Sequence, residues 1–470
     1  MLTIRHRDII EREPHIVLGP LYLIAQLNRD GISVDFRDYQ LCNYEELFTL
    51  DSFLSFCNNP SKIIGISVMA NLLHFAILAA KALKERYPDR VIILGGVGPY
   101  GVEEKILTRF PFIDIIAYGE GERNISALVS ALHYNRDLSE IKGIYYRMDG
   151  KIIKNPPSER ITELDKMGLP AYYAIDYRKY SGCNIITSRG CPYLCSFCSV
   201  APIWGRCPQF RRPESIVKEM VFLNREYGVE LFLFQDEFFV NSRDRVIEFC
   251  RLLKASGLKN IMWKAFARIN LTDERVLKEM GKAGCIEIRY GIESGSNKVL
   301  SRIKKGFTIE EAAGVVSKAI KFIPRVDTFF IWGFPFETIK DFYSTIFQMI
   351  HFRLIGTRVL PSLLCYLPQT DIYIEYKNIA KFEFYPYLLP EYMITGHELF
   401  DNGRLMVIEK YRDYYKFINE HPDIFTGFFQ IDIENNILPK FELLKKHGFY
   451  SPSEVADAKT ESCGAHSPRI

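Results

Sequence analysis

The stretch Cys191-Pro-Tyr-Leu-Cys195-Ser-Phe-Cys198, entered through Ile185-Ile186-Thr187-Ser188-Arg189-Gly190, decides how the rest of the chain is interpreted. Its three cysteines are spaced four and three residues apart, on a short loop after a β-rich run. Three thiolates with this spacing can bind one face of a cubic iron–sulfur cluster and leave its fourth iron without a protein ligand. The loop therefore predicts a [4Fe–4S] site with Cys191, Cys195 and Cys198 as the metal ligands.

Structural zinc is the alternative for these thiols. Zinc usually takes four ligands in two pairs, and no second pair or nearby histidine accompanies the loop. The spacing therefore favours a cluster over zinc. Cys183 and Cys207 flank the loop and are ambiguous. The cysteines that stand alone in apolar or helical contexts are predicted to be buried, inert thiols: Cys42, Cys57, Cys250, Cys285 and Cys365.

The overall composition narrows the class of protein. At 470 residues with 48% apolar content, the chain is expected to form two or three domains. A net charge of +3 gives no global case for nucleic acid or an anionic membrane as partner. Eleven cysteines without a basic-then-apolar leader predict a reduced, cytoplasmic protein. The most apolar stretch, Ile63 to Leu83, is interrupted by polar residues, so we expect a strand and a helix instead of a transmembrane segment.

Residues 1–150 alternate short apolar runs with amphipathic stretches, a pattern typical of a parallel sheet covered by helices. The candidate strands are Ser33–Phe36, Ile63–Ser67, Val91–Leu94 and Asp114–Tyr118. The loops that follow the last three are Ser67 to Asn71, Gly95-Gly96-Val97-Gly98 and Gly119-Glu120-Gly121-Glu122. In an open α/β sheet such loops line the ligand crevice, and their glycines allow a close backbone approach. Simple tight βα turns are an equally open interpretation.

A hairpin and a connector follow this first domain. Ile144–Arg147 and Lys151–Lys154, joined by Asp149-Gly150, have the pattern of a two-residue β-hairpin. Pro156-Pro157 and a polar, tyrosine-rich run then extend to about Tyr180. We therefore predict a first domain over 1–150 and a linker over 151–180.

Residues 181–367 resume the alternation with about six βα units, which suits a barrel that is curved but not closed. The predicted strands are Ile185–Thr187, Leu231–Gln235, Met262–Ala267, Glu287–Ile292, Thr328–Trp332 and Val359–Cys365. Pro213 in a first turn and a capping box at Thr308 and Glu311 mark two helix starts. Working groups of such barrels lie at the carboxyl ends of the strands, and the cysteine loop follows the first of these ends.

Residues 368–470 form an aromatic-rich region that is predicted to be mainly helical, with one helix around Leu405–Ile418. The region either caps the barrel mouth and shapes a substrate pocket or is a stabilising subdomain with buried aromatic residues. Its last residues, 458–470, are polar and expected to fray.

The cysteine loop resembles that of the radical S-adenosylmethionine (SAM) superfamily. The resemblance continues through Arg212-Pro213-Glu214, Phe234-Gln235-Asp236-Glu237, Gly291-Ile292-Glu293-Ser294-Gly295-Ser296 and Gly333-Phe334-Pro335-Phe336-Glu337-Thr338. First-domain motifs Gly65-Ile66-Ser67, Leu94-Gly95-Gly96 and Tyr118-Gly119-Glu120-Gly121-Glu122 occur in the order found in its cobalamin-binding branch. The resemblance covers nearly the whole chain. It implies a Rossmann-like cobalamin-binding domain, a partial (β/α)6 radical SAM barrel and a C-terminal region.

The resemblance also implies site residues. For SAM, Phe197 would pack against the adenine, and Arg268 and Glu293 would bind the polar ends, with Asp236 as a further contact. The cobalamin contacts it implies are Ser67, Asn71, Gly95, Gly96, Gly119 and Glu120. No Asp-x-His-x-x-Gly motif is present to supply an imidazole to cobalt, and His74 is predicted to be packed, so the axial ligand stays open. No catalytic side chain is assigned.

The implied function is a cobalamin-dependent radical SAM methyltransferase. One SAM would methylate cobalamin, a second would yield a 5′-deoxyadenosyl radical that takes hydrogen from an unactivated carbon, and methylcobalamin would deliver the methyl group. Oxidation, cyclisation or rearrangement with the same cofactors stays open. A methylthiotransferase is disfavoured, since the first domain offers only Cys42 and Cys57 for a second cluster. The non-enzyme alternative is an iron–sulfur electron carrier or a zinc-stabilised binding module.

The sequence leaves the substrate open between a small molecule such as a natural-product intermediate, a lipid, a tetrapyrrole and a peptide or protein side chain. The reductive step implies an electron donor such as flavodoxin or ferredoxin.

Overall fold

The computed structural model of the chain describes residues 1–4, 14–42, 48–234, 236–386, 400–401, 404–405 and 411–449. The predictions for Gln235 and the tail 458–470 therefore lie outside the described residues. The helix expected at Leu405–Ile418 starts later than predicted, because Leu405 lies in a two-residue strand and the helix spans Arg412–Glu420.

Strands are numbered in chain order. They are β1 (Leu2–Ile4), β2 (Arg37–Asp38), β3 (Ile63–Val68), β4 (Val91–Gly95), β5 (Ile115–Ala117), β6 (Ile144–Met148), β7 (Lys151–Lys154), β8 (Cys183–Asn184), β9 (Ser188–Arg189), β10 (Gln209–Phe210), β11 (Leu231–Phe234), β12 (Met262–Ala267), β13 (Cys285–Glu293), β14 (Arg325–Trp332), β15 (Arg358–Leu363), β16 (Phe382–Phe384), β17 (Phe400–Asp401), β18 (Arg404–Leu405) and β19 (Phe429–Ile431).

Helices are numbered in the same way. They are α1 (Leu18–Arg29), α2 (Leu50–Phe56), α3 (Leu73–Arg86), α4 (Glu103–Arg109), α5 (Ile125–His133), α6 (Val200–Trp204), α7 (Pro213–Tyr227), α8 (Arg243–Ala255), α9 (Glu274–Lys282), α10 (Asn297–Arg302), α11 (Ile309–Ala319), α12 (Ile339–Leu354), α13 (Asp371–Tyr376), α14 (Arg412–Glu420) and α15 (Leu438–Lys446).

The first sheet has seven strands in the order β2-β1-β3-β4-β5-β6-β7. The ladders from β2 to β5 are parallel, and β6 and β7 add an antiparallel hairpin at one edge. In β3, Ile64, Ile66 and Val68 alternate into the core, where α3 covers them. The apolar stretch from Ile63 to Leu83 is therefore a strand and a helix, as its sequence predicts.

Two predictions for this domain need correction. The strand expected at Ser33–Phe36 is wrong, because the second strand is Arg37–Asp38, whose backbone pairs with Leu2 and Thr3. The boundary at residue 150 cuts the hairpin, since Lys151–Lys154 pair with Tyr145 to Met148 inside the first sheet. The turn itself is as predicted: Asp149 and Gly150 both have positive φ, 50° and 74°, as a type I′ turn requires.

The second sheet is a six-stranded parallel sheet in the order β15-β14-β13-β12-β11-β8. Its two edges, β15 and β8, do not pair with each other, so the barrel is open. Five strands match the predicted positions within a few residues, whereas the first is Cys183–Asn184 instead of Ile185–Thr187. Both helix signals are also present, with Pro213 in the first turn of α7 and the capping box of Thr308 and Glu311 at α11.

The described C-terminal residues pack against both sheets. Tyr414 of α14 donates from its hydroxyl to the carbonyl of Phe48 at 2.5 Å, and α14 joins the core of the first domain. Lys440 of α15 forms a buried ion pair of 2.9 Å with Glu337 of the barrel. Residues 411–449 therefore hold the two sheets together, which is consistent with a stabilising subdomain.

No helix among the described residues combines the length and the apolar character that crossing a bilayer requires.

Candidate active site

The three cysteines predicted to bind a cluster lie on one loop between β9 and α6, and each is a half-buried free thiol. Backbone hydrogen bonds fix this loop. The N–H of Cys198 donates to Cys195 O at 3.0 Å, and the N–H of Ser196 donates to Ile303 O at 3.2 Å. The N–H of Ile372 donates to Ser196 O at 2.9 Å. The barrel and the C-terminal region thus both hold the loop in place.

Gly190 makes the turn from β9 into this loop. Its φ is +95°, in the left-handed region that favours glycine. A Cβ at this position would also lie 3.2 Å from the carbonyl oxygen of Gly205. The glycine immediately before Cys191 is therefore required by the path of the backbone.

The electrostatics of the loop suit a positively charged guest. Burial raises the pKa of Cys191 and raises that of Cys198 to about 11, so a cation that binds these sulfurs would favour their thiolate forms. Arg268 places Nη1 3.7 Å from Cys195 Sγ. Within the described residues, no three His, Cys, Asp or Glu side chains converge as ligands of a single ion. A cubic cluster binds its three thiolates through three different irons, so this donor set fits a cluster.

Three of the four side chains assigned to SAM meet at Lys305, a residue that sequence reasoning missed. Lys305 Nζ lies 2.7 Å from Glu293 Oε1 in a buried ion pair and 5.7 Å from the centre of the Phe197 ring. Arg268 Nη2 donates to Lys305 O at 2.5 Å. The group offers a carboxylate, two cations and an aromatic face beside the cysteine loop, and these functions fit the amine, carboxylate and adenine of SAM.

Asp236 lies apart from this group. Its carboxylate accepts hydrogen bonds from the N–H and hydroxyl of Thr187 at 3.2 and 2.6 Å and from the hydroxyl of Ser188 at 2.6 Å. Asp236 therefore anchors the strand that leads into the cysteine loop. The side chain of its neighbour Glu237 is exposed in a cavity. Desolvation by the surrounding protein and the negative charge of Asp236 raise the pKa of Glu237 to about 7.

That cavity has a volume of about 490 Å³ and lies at the carboxyl ends of β1, β3, β4 and β5. Apolar side chains and glycines form most of its wall, and Arg189, Asp236 and Glu237 complete it from the barrel side. Cofactor sites are typically concave, mostly apolar and of this size. The cavity therefore has the form of a cofactor site. Because Arg189 belongs to its wall, the cavity also lies against the elements that carry the cysteine loop.

Five of the six residues assigned to cobalamin line the cavity, namely Ser67, Gly95, Gly96, Gly119 and Glu120, whereas Asn71 does not. Asn71 belongs to the turn Ala70–Leu72, which directly precedes α3. Gly96 has a φ of +87°, and a Cβ there would lie 2.6 Å from Val68 O. Gly95 and Gly96 carry no side chain, so the backbone wall can approach a large flat guest there, which suits a corrinoid.

His74 is fully buried, as predicted, with its ring 5.7 Å from that of Tyr414 and 5.4 Å from that of Phe428. It packs among aromatic residues of the C-terminal region and is not part of the cavity lining.

The chain is similar to several known proteins. The Radical SAM superfamily model matches residues 185–349. The chain is 33% identical over 289 residues to "Uncharacterized methyltransferase PH0819" of Pyrococcus horikoshii, covering 60% of this chain and 63% of that protein. It is 31% identical over 281 residues to the anaerobic magnesium-protoporphyrin IX monomethyl ester cyclase of Synechocystis sp., covering 57% and 55%. The chain thus spans less than two thirds of these curated relatives.

The overall fold is also found in a solved structure. TsrM from Kitasatospora setae, a radical SAM methyltransferase solved with cobalamin and a [4Fe–4S] cluster bound, superposes with a TM-score of 0.68. The match covers 98% of this chain and 88% of TsrM at 17% sequence identity. Residues 185–349 of the chain therefore match the Radical SAM superfamily model, and the chain shares its overall fold with TsrM, which was solved with cobalamin bound.

Proposed function

We propose that the chain is a cobalamin-dependent radical SAM methyltransferase that moves a methyl group from SAM to an unactivated carbon of its substrate. The observation that carries the proposal is the position of the 490 Å³ cavity, which lies at the carboxyl ends of the first sheet and is completed by barrel residues next to the cysteine loop. Two cofactor sites at this junction bring a methyl carrier and a radical source to one substrate. The relative named as a methyltransferase supports the same activity.

The residues divide between three groups. Cys191, Cys195 and Cys198 would hold the cluster, Phe197, Arg268 and Glu293 would hold SAM, and Ser67, Gly95, Gly96 and Gly119 would hold cobalamin. When bound, the cluster supplies the electron that cleaves SAM, and cobalamin supplies a carrier for the methyl group. The chain itself excludes water with its apolar cavity wall and fixes the cysteine loop through Ser196. Asp236 and Glu120 serve as anchors of loops in this arrangement.

A second candidate keeps both cofactors but ends in oxidation, cyclisation or rearrangement. The relative named as a cyclase, which matches 57% of this chain, favours it. Product mass separates the candidates, since methylation adds one methylene unit, cyclisation with oxidation removes hydrogen, and a rearrangement leaves the mass of the substrate unchanged.

Partner and substrate are proposed only by class. A small reductant such as flavodoxin or ferredoxin would reduce the cluster in the cytoplasm. The apolar wall of the cavity suits a substrate with apolar surface, which a lipid, a tetrapyrrole, a natural-product intermediate or a peptide side chain each offers.

The proposal is tested with SAM that carries a deuterated methyl group. Anaerobically reconstituted protein, reductant and hydroxocobalamin are incubated with candidate substrates of these classes, and products are analysed by mass spectrometry. We expect the labelled methyl group on a carbon of one product and 5′-deoxyadenosine in solution. A new product without the label, of altered mass or isomeric with the substrate, would support the second candidate. An iron–sulfur carrier or zinc module would leave SAM uncleaved.

A further inference from the structure

Arg189 lies between the two sheets, two residues before Cys191. Its Nη1 is 2.7 Å from Glu120 Oε1, and its Nη2 is 2.5 Å from Glu122 Oε1. The side chains of Arg189, Glu120 and Glu122 are only 6%, 4% and 14% exposed. Glu120 and Glu122 follow β5 of the first sheet, whereas Arg189 lies 69 and 67 residues further along the chain, at the start of the barrel. The bridge therefore forms only when the first sheet and the barrel are docked.

Neighbouring groups fix the bridge from several directions. The second carboxylate oxygen of Glu120 accepts from the N–H of Ile161 at 2.6 Å. The Arg189 guanidinium also lies 5.7 Å from the ring centre of Tyr22 in α1 and 5.4 Å from that of Trp204 in α6. A planar guanidinium held by two carboxylates and two rings has one preferred orientation. The bridge is therefore a rigid connection and not a loose surface ion pair.

The position of the bridge connects two sites. Glu120, Glu122 and Arg189 all line the cavity of the first sheet, and Gly190 leads from Arg189 directly into the cysteine loop. A guest that shifts the loop 119–122 also shifts both carboxylates that Arg189 contacts. Separating these groups would leave buried charges without partners, which is strongly unfavourable. The two loops are therefore expected to move as one unit.

We propose that Arg189 is a positioning residue that couples the two cofactor sites, so that a corrinoid in the cavity changes the affinity of the cysteine-loop site for SAM. This inference rests on the proposed function, because it assumes that both guests bind. Coupling of this kind is reciprocal, so SAM changes the affinity for the corrinoid by the same factor.

The coupling is measured on full-length, anaerobically reconstituted protein by titrating SAM with and without saturating hydroxocobalamin. Samples are frozen before SAM is cleaved, and the cluster signal in electron paramagnetic resonance then reports SAM binding at the reduced cluster. For the wild type we expect the two dissociation constants to differ about five-fold or more, the range of measured couplings. In Arg189→Lys, which keeps the charge but loses the fork that spans both carboxylates, we expect a ratio near one. Glu122→Gln is a second, milder variant with the same expectation.

Arg358→Lys is the matched control. Arg358 contacts the two carboxylate oxygens of the buried Asp327 through two nitrogens inside the barrel. The Arg358→Lys variant therefore weakens a comparable ion pair and leaves the bridge of Arg189 unchanged. It is expected to keep the wild-type ratio. A wild-type ratio of one, or an unchanged ratio in both bridge variants, overturns the inference alone. Failure of the wild type to bind hydroxocobalamin or SAM overturns the proposed function and the inference with it.

Discussion

At the scale of single residues, Lys305 organises the side chains assigned to SAM. It pairs with Glu293, lies over the Phe197 ring and accepts from Arg268 through its carbonyl. Glu293 has a φ of +73°, a conformation that is uncommon for a residue with a side chain and is maintained here inside a buried ion pair. The ion pair with Lys305 thus holds the Glu293 carboxylate in one orientation beside the cysteine loop.

The substitution Glu293→Gln tests this arrangement. In the proposed SAM site the Glu293 carboxylate would accept from the SAM ammonium, and the variant lacks this charged acceptor. We therefore expect SAM affinity to fall by about 10- to 100-fold, the factor that one hydrogen bond to a charged group contributes. Iron and sulfide content should stay unchanged, because the cysteine loop is untouched. SAM titration of the reconstituted protein, followed by the cluster signal, gives the dissociation constant.

Glu310→Gln is the control for Glu293, since Glu310 is an exposed acid that contacts Asn297 on the same side of the barrel. It should bind SAM as the wild type does. Equal affinities in the Glu293 variant and the wild type would remove Glu293 from the SAM site.

At the scale of elements, the amino-terminal halves of β12 to β15 carry charges that the strand register aligns in two rows. Lys264, Glu287 and Arg325 face each other across one row, and Arg289, Asp327 and Arg358 form the other. Opposite charges directly across a ladder stabilise the pairing of strands. Glu287 and Asp327 are fully buried. The rows lie near the amino ends of the strands, whereas the cysteine loop lies at the carboxyl ends, so the rows form a charged floor on the side of the barrel away from that loop.

The floor makes stability depend on pH through Asp327. Burial and the neighbouring Glu287 carboxylate raise the pKa of Asp327 from 3.8 to about 7. The folded chain therefore holds a proton that the unfolded chain releases between these two values, and this contribution to the free energy of unfolding falls as pH rises toward 7. In Asp327→Asn we expect a smaller fall of the urea midpoint between pH 5 and pH 8 than in the wild type.

Circular dichroism at four pH values across this range measures the midpoints. Asp89→Asn, which changes a carboxylate that is 71% exposed, serves as the control and should follow the wild-type slope. A slope in Asp327→Asn equal to the wild-type slope would show that Asp327 is ionised throughout the range.

At the scale of the whole molecule, the sequence predicts the features whose causes are local. Apolar alternation identifies β3, β4 and β11 to β15, and the residues Asp149 and Gly150 identify the hairpin turn. The sequence pattern does not locate the second strand, which was expected at Ser33–Phe36. The backbone of Arg37 and Asp38 pairs with β1 instead, and a hydrophobic pattern alone does not specify which residues of two strands pair. The two-sided packing of residues 411–449 depends on contacts such as Tyr414 with Phe48, 366 residues apart.

The candidate site divides in the same way. The cysteine spacing and glycine loops are local signals, and most residues they indicate lie at the loop or the cavity. No sequence motif predicts the roles of Lys305 and Arg189, since the residues that they contact lie 12 and 69 residues away in the chain. Asp236 was assigned to SAM by its motif, yet its oxygens are taken by Thr187 and Ser188. Only the folded chain shows which polar groups are already paired.

Whether the chain uses both a cluster and cobalamin is tested by the fate of SAM in the reconstituted protein, measured with and without hydroxocobalamin under anaerobic reducing conditions. Liquid chromatography quantifies 5′-deoxyadenosine and S-adenosylhomocysteine, and Cys195→Ala controls for the cluster. We expect 5′-deoxyadenosine in both reactions of the wild type, S-adenosylhomocysteine only with hydroxocobalamin, and no 5′-deoxyadenosine in the variant. Wild-type protein that forms no 5′-deoxyadenosine, or forms no S-adenosylhomocysteine when hydroxocobalamin is bound, would contradict this expectation.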